Sequence, residues 1–292
     1  MKVGLSTYSM YGLIESGEMS VPDVIGWIAE NGGECAEIVP FGFDLTDNDA
    51  LTDAIVAKAK AAGLTLSCYS ISANLLAEDR DAYEAEVRRV MRHVDIAHRL
   101  GVPVMRHDVS SFDRPPETND ILHFDREFPQ MVDACGRIAD YAAKRYGIST
   151  TVENHGYFVN GSDRVLRLYH AVDRPNFRGT LDIGNLMCVD ENPLTGIKKL
   201  LPFAAQVHFK DFYLRHPSVR DPGPGYWIPT AGGDSLRGAI VGHGDVDVWQ
   251  AMKLIKESGY DGSISVEFEG MEDPKTGSSI GLANVRRIWN EV

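Results

Sequence analysis

Short apolar runs alternate with longer amphipathic ones along this chain. Residues 3–8, 34–39, 64–71, 102–107, 148–153, 178–182, 205–209 and 263–268 are brief, apolar and often β-branched, and they read as strands. Helical patterns lie between and after them, over residues 21–31, 50–62, 81–100, 124–146, 164–171, 193–201, 246–258 and 280–292. In 81–100, Tyr83, Val87, Val90, Met91, Val94 and Ala97 recur at helical spacing, while Arg88, Arg89 and Arg92 take other faces. Ser20 is placed to cap the first helix, with Pro22 in its first turn, and Gly63, Gly101 and Gly147 stand where three helices should stop. Two segments resist both patterns. The polar, Pro-rich 110–118 and the Gly/Pro-rich 211–244 read as loops.

Eight strands alternating with eight helices is the arithmetic of a (β/α)8 TIM barrel. An open doubly wound sheet is disfavoured. No Gly-x-Gly-x-x-Gly follows the first strand, and polar residues sit at many strand ends rather than at one switch point. No repeat, linker or low-complexity tract divides the chain, so residues 1–292 are expected to form a single domain.

Charge and cysteine usage narrow the setting. A formal net charge of -13 opposes binding to nucleic acid or anionic lipid. No apolar run approaches the length of a membrane span, and the N-terminal strand lacks the features of a signal peptide. A cytoplasmic protein with no nucleic-acid or membrane partner is expected. Cys35, Cys68, Cys135 and Cys188 form no CxxC pair and read as buried free thiols.

The chemistry concentrates at strand ends. The stretch Thr150-Thr151-Val152-Glu153-Asn154-His155-Gly156 runs from apolar and β-branched residues into a carboxylate, an amide and an imidazole. Similar tips carry Asp182, His208 and Glu267. In a parallel barrel the C-terminal strand ends open onto one face, so Glu153, Asp182, His208 and Glu267, from strands five to eight, can converge. Taken singly, Asp182 could cap a turn, His208 could be a core histidine and Glu153 could pair with an arginine. Together, three carboxylates would repel one another, and a divalent cation removes that conflict. The hard, oxygen-rich set points to one Mn²⁺ or Mg²⁺, with Co²⁺ or Zn²⁺ as alternatives.

The order Val152-Glu153-Asn154-His155, Leu181-Asp182-Ile183-Gly184-Asn185, Val207-His208-Phe209-Lys210-Asp211, Gly242-His243-Gly244-Asp245-Val246-Asp247 and Tyr260-Asp261-Gly262-Ser263-Ile264-Ser265-Val266-Glu267 resembles the xylose isomerase-like superfamily. The resemblance is nearest to its sugar phosphate isomerase/epimerase group, whose relatives include ketose 3-epimerases, inosose dehydratases, C-glycoside deglycosidases and, further off, endonuclease IV. It spans nearly the whole chain. It implies one divalent metal, often Mn²⁺, on Glu153, Asp182, His208 and Glu267. The chain departs from the ketose epimerases and endonuclease IV where they usually carry a histidine three residues after the strand-six aspartate. Asn185 stands there, and it cannot titrate. Endonuclease IV also needs further histidine ligands, and strand three, ending Ser67-Cys68-Tyr69-Ser70, offers none.

Such a site acidifies the carbon between a carbonyl and a hydroxyl and stabilises the enediolate that follows. The expected function is therefore a divalent-metal-dependent sugar isomerase or epimerase. A metal-dependent lyase on a keto sugar, keto inositol or oxidised glycoside is the alternative, and a non-catalytic binding or assembly subunit is a third reading. Glu153 and Glu267 are the first candidates for the base. His155 shares strand parity with Glu153 and has a suitable ordinary pKa, so it is a further candidate. Asn185, His107, Lys210, Arg215 and Trp227 are expected to contact a small carbohydrate or glycoside substrate. Lys210 would hold a carbonyl oxygen or neutralise Asp211. Glu37, Arg106, Asp108 and Tyr226 are further strand-end and loop residues that can shape the pocket, while the glycine turn around His243 is read as structural. Exposed helices and the long loop allow a homo-oligomer or a complex with a partner subunit.

Overall fold

The computed structural model describes residues 1–77, 79–216 and 222–292. Among them, eight parallel strands close a barrel: β1 (Lys2–Ser6), β2 (Cys35–Ile38), β3 (Thr65–Ile71), β4 (Val104–His107), β5 (Ser149–Glu153), β6 (Phe177–Asp182), β7 (Ala204–Phe209) and β11 (Ser263–Val266). The ring runs β1 to β7 in chain order and then β11, which pairs with β1 from Lys2 opposite Ser263 to Leu5 opposite Val266. The expected (β/α)8 TIM barrel is therefore the observed fold. The helices are α1 (Tyr11–Glu15), α2 (Val21–Glu30), α3 (Asp49–Ala61), α4 (Arg80–Leu100), α5 (Ile121–Tyr146), α6 (Ser162–Val172), α7 (Pro193–Leu200), α8 (Val248–Glu257) and α9 (Pro274–Glu291). Ser20 caps α2 in a reciprocal capping box with Asp23, and the backbone turns left-handed at Gly101 and Gly147.

Alternation along each strand separates two environments. Leu5, Ile38, Val152, Leu181, Val207 and Ile264 belong to the buried apolar core between strands and helices. Burying each such side chain stabilises the fold by roughly 1.5–3 kcal/mol. The other parity faces the barrel axis and is polar. Ser70 Oγ donates to Glu37 Oε1 at 2.5 Å, Thr151 and Thr180 hydroxyls meet at 2.8 Å, and Gln206 Nε2 donates to Ser265 Oγ at 2.8 Å. Buried polar groups are tolerated there because they satisfy one another. All four cysteines are buried and free, as expected.

Three stretches differ from the sequence reading. The 211–244 segment is not a plain loop. β8 (Asp211–Arg215) pairs antiparallel with β10 (Ser235–Ala239), which pairs with β9 (Ile228–Pro229). Residues 217–221 of that segment lie outside the described residues. The last helix begins at Pro274 rather than residue 280, with Asp273 as its cap. Gly277, which looks like a breaker, is required there: a Cβ would sit 2.4 Å from the Phe268 ring. The first strand ends at Ser6, and Thr7–Met10 form a 3₁₀ turn.

Asp211 does not answer to Lys210, although neutralising it is one of the two roles open to that lysine. Its Oδ2 accepts the N–H groups of Gly242 and Gly244, and its Oδ1 those of Val246 and Phe212. Gly244 permits this approach, since a Cβ would stand 2.2 Å from Asp211 Oδ1. The His243 turn is thus held by a buried carboxylate, which matches its structural reading.

Candidate metal centre

Glu153 ends β5, Asp182 ends β6, His208 lies one residue before the end of β7, and Glu267 follows β11. Glu267 keeps strand geometry, its N–H donating to the Phe209 carbonyl at 3.0 Å. All four side chains are buried, and one donor atom from each lies within 4.8 Å of the others. His208 presents Nδ1 to the cluster, 3.4 Å from Glu153 Oε1 and 3.5 Å from Glu267 Oε1. This is the convergence expected from the strand ends.

Asp182 is oriented by its own chain. Its Oδ1 accepts the N–H groups of Gly184 at 2.7 Å and Asn185 at 2.8 Å. Asn154 clamps the Asp182 backbone, accepting its N–H and donating to its carbonyl, each at 2.9 Å. That leaves Asp182 Oδ2 and both ring nitrogens of His208 buried with no hydrogen-bond partner among the described residues. Buried polar atoms without hydrogen-bond partners, set among clustered carboxylates, fit a bound cation, because such atoms otherwise find partners. Three oxygen donors and one imidazole suit a hard divalent ion.

Electrostatics agree with that fit. Burial, with Glu153 and Glu267 nearby, pushes the Asp182 carboxyl up to about 7 despite Lys210. Burial also opposes charge on Glu153, but Arg106 and His208 beside it hold its pKa well below the usual range. Arg106 Nη2 is 2.9 Å from Glu153 Oε2. On the far side of the imidazole, His208 Nε2 lies 2.8 Å from Glu37 Oε2. A carboxylate behind a histidine fixes the ring and strengthens its facing nitrogen as a donor.

The expected substrate residues separate into two groups. Asn185 and Lys210 join the cluster. Asn185 Nδ2 donates to Glu153 Oε1 at 3.0 Å, and Lys210 Nζ reaches Glu267 Oε2 at 3.0 Å and Asp182 Oδ2 at 3.6 Å. Lys210 also stands 3.7 Å from Glu269 Oε2, and Tyr8 donates to the same oxygen at 3.2 Å. His155 lies one step out, its Nδ1 3.1 Å from Asp108 Oδ1, which in turn pairs with Arg106.

His107, Arg215 and Trp227 are not brought to the four. His107 alternates with Arg106 and so turns away from Glu153. It is fully buried, with Nδ1 against the Asp108 carbonyl, and burial lowers its pKa to about 4. Arg215 is half-exposed on β8 and pairs with Asp245 at 3.3 Å. Trp227 lies just before β9, its ring beneath the Arg237 guanidinium at 5.0 Å. Glu269 and Tyr8 escaped the sequence reading as site residues. Glu269 carried a usable signal, because it is two positions from Glu267 and strand-like parity puts both on one side.

Several known proteins share this architecture. An inosose dehydratase from Lacticaseibacillus casei is 27% identical over 199 residues, covering 66% of this chain and 65% of the relative. The probable 3-DHS dehydratase of Bacillus anthracis superposes with a TM-score of 0.76 at 17% identity, over 98% of this chain and 99% of that one. The D-psicose 3-epimerase of Clostridium cellulolyticum H10 superposes with a TM-score of 0.73 at 15% identity, over 99% of both chains. A family profile described as xylose isomerase-like TIM barrel matches residues 25–288. With that match spanning most of the barrel, the chain belongs to the xylose isomerase-like TIM barrel family.

Proposed function

We propose that this protein is a divalent-metal-dependent enzyme that removes the proton beside a carbonyl of a small keto carbohydrate. The observation that carries the proposal is the buried cluster of Glu153, Asp182, His208 and Glu267, with Asp182 Oδ2 and His208 Nδ1 left without a hydrogen-bond partner among the described residues. A divalent ion such as Mn²⁺, if bound there, would supply Lewis-acid chemistry that eases loss of a proton beside a carbonyl. Glu153, Asp182, His208 and Glu267 would hold it.

The chain's own groups divide the remaining tasks. Arg106 and Asn185 fix the Glu153 carboxylate, and Lys210 fixes Glu267. Lys210 also places a fixed positive charge where a substrate oxygen gains negative charge, with Glu269 and Tyr8 orienting it from behind. Glu267 or Glu153 takes the proton. His155, on the Glu153 side, delivers or accepts the second proton through its free nitrogen.

Return of that proton to the same or the neighbouring carbon gives an epimer or an isomer. Departure of a β-hydroxyl as water gives a dehydration. The dehydration reading is favoured by Asn185, which cannot serve as a titrating group, and by the likeness to an inosose dehydratase. The substrate would then be a keto cyclitol or keto sugar. We place the protein among soluble enzymes of carbohydrate metabolism in the cytoplasm. No helix among the described residues is long and apolar enough to cross a membrane.

Turnover in D₂O separates the outcomes. The Mn²⁺-loaded protein, given a panel of keto sugars and keto inositols, should place deuterium on carbon in a product of unchanged composition, or release water. EDTA treatment should abolish either result. A metal-loaded protein that exchanges no carbon-bound proton in any member would overturn the proposal. Glu153→Gln and Glu267→Gln should each lower kcat by about 10²-fold or more.

A further inference from the structure

The contact between Asp108 and His155 lies outside the four-residue cluster but is connected to it. His155 Nδ1 is 3.1 Å from Asp108 Oδ1. The same oxygen is 2.7 Å from Arg106 Nη2, and that nitrogen is 2.9 Å from Glu153 Oε2. One partly buried carboxylate therefore joins the imidazole to the guanidinium that fixes Glu153.

The His155 ring is constrained from three directions. Its backbone N–H donates to the Val159 carbonyl at 3.2 Å, closing a short turn directly after β5. Gly156 gives that turn its positive φ of 63°. The Phe112 ring packs 5.7 Å from the imidazole, and Asp108 holds Nδ1. Among the described residues, Nε2 has no hydrogen-bond partner, and the side chain is 30% exposed. His155, Glu153, Asp108 and Phe112 line one cavity. The second nitrogen of the imidazole thus has no protein partner among the described residues, and the ring borders a cavity that Glu153 also lines.

We propose that Asp108 is a positioning residue: it accepts the Nδ1 proton of His155, fixes that tautomer and leaves the bare Nε2 facing the substrate. The proposal rests on the reading of His155 as a proton-transfer group. A neutral imidazole has one donor and one acceptor nitrogen, and its hydrogen-bonded partner decides which is which. Without a partner, the histidine ring favours the proton on Nε2, which would block that nitrogen as an acceptor. Asp108 reverses the preference.

Two measurements test this. The first needs no substrate. Long-range ¹H–¹⁵N NMR of the Mg²⁺-loaded protein, at a pH where the ring is neutral, reports the His155 tautomer. The Nδ1–H form is expected in the wild type, and Asp108→Ala should convert it to Nε2–H. A wild type already in the Nε2–H form, or a tautomer unmoved by Asp108→Ala, overturns the proposal.

The second uses deuterium exchange from the keto-carbohydrate panel. His155→Ala and Asp108→Ala should each lower kcat within the range of about 10²- to 10⁴-fold that a positioned acid–base group supplies. The double variant should fall no further than His155→Ala, and Mg²⁺ affinity should stay within about threefold in all three. Losses that add, or Mg²⁺ affinity that falls along with kcat in Asp108→Ala, would make Asp108 a structural partner of Arg106 and overturn the proposal. A wild type with no exchange would refute the proposed function, and the NMR result would still decide the role of Asp108.

Discussion

Glu37→Gln removes one charge from behind the metal centre and little else. Glu37 is fully buried, with Oε2 2.8 Å from His208 Nε2 and Oε1 accepting from Ser70 Oγ at 2.5 Å. Glutamine keeps the shape and the Ser70 contact. It loses the charge that holds the ring with Nδ1 toward Glu153 and Glu267. Removing an outer carboxylate partner of a ligating histidine typically costs about 10- to 100-fold in metal affinity. That is about 1.4–2.7 kcal/mol of binding free energy. Calorimetric titration of Mn²⁺ into EDTA-treated, dialysed protein measures it directly. Ser70→Ala is the comparison, because it removes one hydrogen bond to Glu37 and leaves the charge beside His208, so its loss should be several-fold smaller. A Glu37→Gln protein with native circular dichroism and the wild-type Kd for Mn²⁺ would refute the reasoning.

Metal itself should stabilise the fold: at about 100 times Kd, Mn²⁺ adds about 2.7 kcal/mol, a rise of about 4 °C in Tm for a chain of this length, and EDTA should reverse it. A second prediction concerns acid stability. His93 is buried between the Tyr69 hydroxyl at 2.9 Å and Arg89 at 3.1 Å, and burial followed by Arg89 lowers its pKa to about 4. The unfolded chain takes up this proton near pH 6.5 and the folded chain only near 4, so His93 favours folding fully above about pH 6.5. Its contribution, at most roughly 3 kcal/mol, is lost as pH falls through that window. Urea unfolding at pH 7 and 4.5 should show a smaller acid loss in His93→Gln than in the wild type, and equal losses would reject this assignment. Asp211→Asn sets an amide donor against N–H groups that the carboxylate now accepts, and should cost about 2–4 kcal/mol in urea unfolding while leaving Mn²⁺ affinity within about threefold.

The barrel and its four-residue centre were legible because both depend on local pattern. Each of the four residues stands at the end of an apolar run, and strand order in a closed parallel barrel then brings the ends together. What escaped depends on contacts between distant segments. The antiparallel β8–β10 pairing was hidden by the Gly and Pro residues at 222–233, although Phe212 and Leu214 alternate with polar neighbours. The start of α9 was obscured by Gly277, whose reason is a ring from the preceding loop. His107 was misplaced although the parity of β4 gives it the opposite direction to Arg106. Of the two roles open to Lys210, neutralising Asp211 is not the one the fold supports, because Asp211 answers to a turn more than thirty residues later.

Pairing of β1 with β11 has a consequence for when the proposed cation site forms during synthesis. Glu153, Asp182 and His208 leave the ribosome well before Glu267, and an incomplete chain exposes the hydrogen-bonding edges of both β1 and β7. Adding β11 seals those edges and supplies the missing carboxylate in one event. Barrel closure and completion of the proposed ligand set are therefore one step, so a nascent chain arrested before residue 263 should neither retain Mn²⁺ tightly nor resist proteolysis.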